Sequence, residues 1–92
     1  MQQITLQVIN KVGLHARPAS EFVKLAGKFK ASIQVRNLTR NSSAVDAKSI
    51  LSVLMLGVEK DHEIELVCEG EDELQAIEAL RELIESDFAG KF

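Results

Sequence analysis

Ile4, Leu6 and Val8 alternate with Thr5 and Gln7 near the start of the chain. A period of two predicts a strand with one buried face. Asn10-Lys11-Val12-Gly13 predicts the turn out of it. Helical spacing then takes over. From Ala16 to about Phe29, the residues Phe22, Leu25, Ala26 and Phe29 fall on one face, with Ala19 near its start, while Glu21, Lys24 and Lys28 point away. Period two returns in Ala31–Arg36, where Ile33 and Val35 face the core. Asn37 to Ser42 is polar and predicts the turn of a β-hairpin, with a short third strand around Ser43–Val45.

The second half repeats the alternation of types. Ser49 to Leu56 predicts a short helix in which Ile50, Leu51, Val53, Leu54, Met55 and Leu56 are apolar and only Ser52 is polar. A helix apolar on all sides is either fully buried or lends part of its surface to docking. Gly57 is placed to end it. Glu63 to Cys68 predicts a fourth strand, with Ile64, Leu66 and Cys68 on one side. A last helix starts near Asp72, where Asp72 and Gln75 resemble a capping box; Leu74, Ile77, Leu80, Leu83 and Ile84 line its buried face. The tail from Asp87 to Phe92 is expected to be loosely held. The order β-α-β-β-α-β-α predicts an α+β fold over residues 1–92 as a single domain. It is an open-faced β-sandwich, a four-stranded antiparallel sheet with three helices on one face.

Composition narrows the function. No segment approaches the length of a membrane span, and no secretory leader is visible, so a cytoplasmic protein without membrane insertion is expected. The single cysteine, Cys68, excludes an internal disulfide, fits a reducing compartment and reads as a small buried hydrophobe. Residues 1–48 carry eight Lys or Arg against Glu21 and Asp46, a net +6, whereas residues 49–92 carry a net −9. That asymmetry suits either a basic face that steers acidic partners or a solvated surface. Nucleic acid is a poor partner for a chain of net charge −3 with no Trp or Tyr. No metal-ligand cluster, phosphate-cradling glycine loop or paired-carboxylate site is visible, so no metal or cofactor is expected and no self-contained enzyme. His62, after Asp61 in a turn, reads as a surface residue.

The stretch that stands out is Gly13-Leu14-His15-Ala16-Arg17-Pro18-Ala19, between the first strand and the first helix. Proline is tolerated in the first helical turn, so His15 falls at or next to the N-cap. The free N–H groups of Ala16 and Arg17 and the helix dipole favour an anion there. A cation at Arg17 is unfavourable for the dipole alone and better explained by an anion that visits. An imidazole in such a corner could attack an electrophile and then carry a phosphoryl group. The plainer reading of His15 is a loop histidine at a helix start. Ser49 likewise has two readings, an N-cap or a phosphorylation site at a helix N-terminus beside Lys48. Leu51 and Leu54 share a helix face that is either core or a docking patch.

These two stretches together resemble the HPr family, the histidine-containing phosphocarriers of the bacterial phosphotransferase system. Gly13–Ala19 is similar to its active-site signature, and Lys48-Ser49-Ile50-Leu51-Ser52-Val53-Leu54-Met55-Leu56-Gly57 to its regulatory-serine signature. The resemblance implies the HPr-like fold and a phosphohistidine on Nδ1 of His15, with Arg17 assisting. It implies phosphoryl supply from phosphoenolpyruvate through enzyme I and delivery to enzyme IIA proteins for sugar uptake. It also implies a docking surface including Ser20, Lys24, Leu51 and Leu54, and phosphorylation of Ser49 by an HPr kinase/phosphorylase that signals to a transcriptional regulator. A monomer is expected. Asn37–Val45 is a few residues longer than in the best-known members. Asn10-Lys11-Val12-Gly13 and Ser52–Leu56 are also similar to the nitrogen-related NPr branch, which would feed a regulatory relay instead. A further alternative is a regulatory binding module read out through Ser49.

Overall fold

Alternation becomes a sheet in the computed structural model, which describes residues 1–90. The elements are β1 (Gln2–Gln7), α1 (Ala16–Ala26), β2 (Ser32–Asn37), β3 (Val45–Asp46), α2 (Ile50–Met55), β4 (Glu63–Glu69) and α3 (Glu73–Glu85). The strands lie in the order β1-β4-β2-β3, each antiparallel to its neighbours. Because β4 inserts between β1 and β2, these two run parallel and α1 crosses between them, the split β-α-β arrangement. Register places Ile4, Leu66 and Val35 side by side, and Ile33 beside Cys68. Those side chains form the inner face, which the helices cover: α3 packs on β1 and β4, and α1 on α2 and α3. Leu14, Phe22 and Phe88 are among the largest wholly buried side chains. The other face is open and polar. There Arg36 Nε donates to Glu65 Oε1 at 2.8 Å and Gln3 Nε2 to Glu65 Oε2 at 2.7 Å. The contact with Arg36 holds the Glu65 carboxyl below its usual value.

The fold class stands as expected, with four local corrections. The first helix stops at Ala26, not Phe29. Gly27 is a poor helix former, and residues 28 and 29 follow in tight turns, with Lys28 N–H on Leu25 O and Phe29 N–H on Ala26 O. The third strand is two residues, Val45–Asp46, instead of Ser43–Val45. The long connection spends its polar groups on its own turn: Ser42 N–H donates to Asn37 O and Asn37 N–H to Ser42 Oγ. Leu74, expected in the core, is 51% exposed. The buried stripe of α3 centres on Leu80, and Leu74 lies six positions back, about a third of a turn off it. The tail is better anchored than expected, since Phe88 is buried; Lys91 and Phe92 lie outside the described residues.

The start of α3 is also held differently. Asp72 is its N-cap but makes no capping bond. Its carboxylate instead accepts the N–H groups of Lys30 at 2.9 Å and Ala31 at 2.8 Å, tying α3 to the chain entering β2. Glu73 Oε1 reaches back to Gly70 N–H at 3.1 Å in its place. The hydrogen bond from Lys30, then that from Ala31, holds the Asp72 carboxyl below its ordinary 3.8. A carboxyl depressed in the folded state stabilises the fold above its unfolded value, and that contribution is lost as pH falls through the lower folded value. Asp72→Asn should therefore lower the urea midpoint at neutral pH and flatten its decline below about pH 4. Parallel acid profiles for the two proteins would show that the carboxylate has no such role.

Candidate functional site

Gly13 places the histidine. Its φ of +69° lies in the left-handed region, and a Cβ there would sit 2.2 Å from Val58 O. Only glycine lets the backbone approach so closely. Gly13 N–H donates to Asn10 O and Leu14 N–H to Val58 O, so the loop is pinned to the segment following α2. The Leu14 side chain is fully buried and anchors the loop into the core. His15 follows in extended conformation, φ −130° and ψ 163°, as the N-cap of α1. The expected position at the helix start is thus observed.

The imidazole of His15 is half-buried and makes no capping bond to the helix. Its neighbour Ala16 has φ +51°. That is a strained conformation for a residue with a Cβ, at a cost of about 1–2 kcal/mol, and strain of this kind collects at functional sites. Among the described residues, the N–H groups of Ala16 and Arg17 meet no acceptor, and Arg17 is exposed without an ion pair. Pro18 has no N–H to offer. A ring nitrogen, two free donors and a helix N-terminus therefore share one corner, and Arg17, two residues on, adds an exposed and unpaired cation. That corner can hold a dianionic group next to a nucleophile.

The second stretch lies on the neighbouring helix. Ser49 caps α2, its Oγ accepting Ser52 N–H at 3.3 Å. Lys48 does not serve it, because its Nζ donates to Phe29 O at 2.8 Å. Of α2 itself only Val53 is buried. Leu51 is 69% exposed and Met55 81%, with Ile50 also exposed and Leu54 half-buried. On α1, Ser20 and Lys24 are exposed. They lie four apart and so share a face. Met55 belongs with Leu51 in the exposed apolar set. The apolar run already carried that signal, because six residues cannot all face inward. His62 is not a plain surface residue. Its Nδ1 accepts Glu59 N–H at 3.1 Å and lies 3.2 Å from Asn37 Nδ2. It organises a turn, and its ring is already engaged.

Comparisons with known proteins identify the family and match the fold. A family model described as the PTS HPr component phosphorylation site matches residues 2–86. The phosphocarrier protein HPr of Neisseria meningitidis is 41% identical over 88 residues, which cover 96% of this chain and 96% of that one. The multiphosphoryl transfer protein of Haemophilus influenzae is 45% identical over 80 residues, 87% of this chain and 16% of that protein. The crystal structure of HPr-C-His from Thermoanaerobacter tengcongensis matches with a TM-score of 0.93 and 43% identity, covering 100% of both chains.

Proposed function

The chain belongs to the HPr family, the phosphocarriers of the phosphotransferase system, and from that membership we propose that His15 is the residue that carries the phosphoryl group. The supporting observation is the His15 corner, where an uncommitted imidazole stands beside two N–H groups without acceptors. Phospho-enzyme I, charged from phosphoenolpyruvate, is the donor. The lone pair of His15 Nδ1 attacks phosphorus, the donor's P–N bond breaks, and its electron pair returns to the donor imidazole. Delivery to an enzyme IIA histidine is the same step with roles exchanged. The reacting phosphoryl passes through a loose transition state, so the protein contributes alignment and charge stabilisation. Arg17 and the α1 N-terminus supply the latter. The chain acts as a relay in the cytoplasm, as a monomer, and turns over no substrate of its own.

Partners dock on α1 and α2 through Ser20, Lys24, Leu51 and Leu54. Basic residues of the first half steer acidic partner surfaces to them. Incubation with enzyme I and phosphoenolpyruvate tests the carrier role: the expected product is one acid-labile phosphoryl group per chain, which an enzyme IIA protein then removes. No label, or an acid-stable one, would contradict it. Whether a sugar-type or a nitrogen-type IIA protein discharges it faster identifies the branch, and the sugar branch is the one proposed.

Arg17 separates function from stability. Arg17→Glu should slow loading about tenfold to a hundredfold by removing the charge that faces the phosphoryl group. The melting midpoint should hold or rise, because an acidic residue suits a helix N-terminus by about 0.3–1 kcal/mol. Normal loading kinetics in this variant would remove Arg17 from the mechanism. Ser49 is the regulatory site of this proposal, the target of an ATP-dependent HPr kinase/phosphorylase whose product a transcriptional regulator reads. A phosphoryl group on Oγ would take the place of the present cap at the α2 N-terminus, where the dipole tolerates it. Kinase and ATP should add one phosphoryl group to the wild type and none to Ser49→Ala; equal labelling of both places the modification elsewhere.

A further inference from the structure

The peptide between Val58 and Glu59 is held by both of its polar atoms. Its oxygen, Val58 O, accepts Leu14 N–H at 2.9 Å and so carries the His15 loop. Its N–H, that of Glu59, donates to His62 Nδ1 at 3.1 Å. Gly13 packs against the same peptide, since a Cβ there would meet Val58 O at 2.2 Å and Glu59 Cα at 2.7 Å. The C=O and N–H of a trans peptide point in opposite directions. The His15 loop and the His62 ring therefore hold one peptide plane from its two edges.

Asn37 fixes the state of that ring. It is fully buried, and two backbone groups orient its amide: Oδ1 accepts Arg40 N–H at 3.3 Å and Nδ2 donates to Leu56 O at 3.1 Å. Turning the amide would set oxygen against oxygen at Leu56 and donor against donor at Arg40. The second hydrogen of Nδ2 is left for His62 Nδ1, 3.2 Å away. Two donors thus converge on Nδ1, so the neutral ring carries its proton on Nε2. A proton added at Nδ1 would face both donors and has no place in this arrangement. The charged groups around the ring are Glu59, paired with Arg40 at 2.6 Å, and Lys60, Asp61 and Glu63 along the turn; all are exposed. Val8, which bonds Asp61 and His62 through its backbone, brings no charge. Imidazole is the side chain whose charge ordinarily changes between about pH 5 and 8.

We propose that His62 is a proton-sensitive latch on the His15 loop: its bare Nδ1 holds the Val58–Glu59 peptide in place, and protonation of the ring releases that peptide. The loop that carries His15 is then better ordered while the His62 ring is neutral. The inference stands whether or not His15 carries a phosphoryl group.

Ring nitrogen chemical shifts of the 15N-labelled chain at about pH 8 should show His62 Nε2 protonated and Nδ1 bare. Hydrogen exchange then reads the latch. Between about pH 8 and about pH 5.5 the protection factors of Leu14 and Glu59 N–H should fall about threefold to tenfold, the net worth of one neutral hydrogen bond. His15 lies next to Leu14, so the control is His62→Gln, which keeps His15 and offers an amide oxygen as acceptor at either pH. There both protection factors should change by less than about twofold. A neutral ring with its proton on Nδ1, protection that holds as the wild-type ring protonates, or an equal fall in His62→Gln overturns the inference.

Discussion

His15→Ala is expected to abolish loading by enzyme I, by at least about a thousandfold, since on the proposed assignment it removes the nitrogen that bonds phosphorus. The fold should scarcely notice. The imidazole makes no capping bond, and substitutions of such side chains usually stay within about 0.5 kcal/mol. The second histidine of the chain gives the opposite result. His62→Ala leaves Glu59 N–H and Asn37 Nδ2 without their shared acceptor. Asn37 Nδ2 keeps Leu56 O as an acceptor and Glu59 is exposed to water, so the loss should cost about 0.5–1.5 kcal/mol, yet loading should persist. Intact mass after loading and urea midpoints for the two variants would read this crossed pattern directly. Loading that survives His15→Ala would end the assignment of the site.

Gly13→Ala should have the largest effect on stability among substitutions near the site. The new Cβ would meet Val58 O at 2.2 Å, Glu59 Cα at 2.7 Å and Glu59 C at 2.9 Å. All three are backbone atoms, so nothing can swing aside. Two costs combine, the left-handed φ of +69° and the overlap, to give about 2–5 kcal/mol. Relief requires the His15 loop to lift from the segment after α2, so loading should fall as well. Gly27→Ala is the control. Its φ is −66° and its added Cβ would meet nothing closer than 3.5 Å. There alanine should stabilise by about 0.4–1 kcal/mol, because it restricts the unfolded chain at no steric cost. Urea unfolding should show midpoints moving in opposite directions. A Gly13→Ala protein as stable as the parent would mean the loop can move without penalty.

What the sequence disclosed depended on how local the physics was. His15, Arg17 and Pro18 lie within four positions, and the helix start they predict needs nothing from elsewhere in the chain. Ser49 and its cap were legible for the same reason. The exposed face of α2 could be inferred from its crowding of apolar residues, though not which of them stay outside. The features missed are long-range. Asp72 has the spacing of a capping residue, but its carboxylate serves Lys30 and Ala31 across 42 and 41 positions of sequence. His62 looked like an exposed turn residue because Asn37, its neighbour in space, is 25 positions away. Leu74 obeyed the helical period but lay on the flank of the face that α3 presents to the sheet. The third strand shrank because the turn before it satisfied its own polar groups, which no alternation of side chains records.

On the carrier reading a ring nitrogen of His15 carries the phosphoryl group. Phosphorus–nitrogen coupling in the NMR spectrum of 15N-labelled protein, loaded with enzyme I and phosphoenolpyruvate, tests it most directly. A single phosphorus resonance coupled to Nδ1 of His15, perturbed amides at Ala16 and Arg17, and an unchanged His62 ring are expected. A phosphorus resonance coupled to His62, or one with no nitrogen coupling because it sits on a hydroxyl, would contradict it.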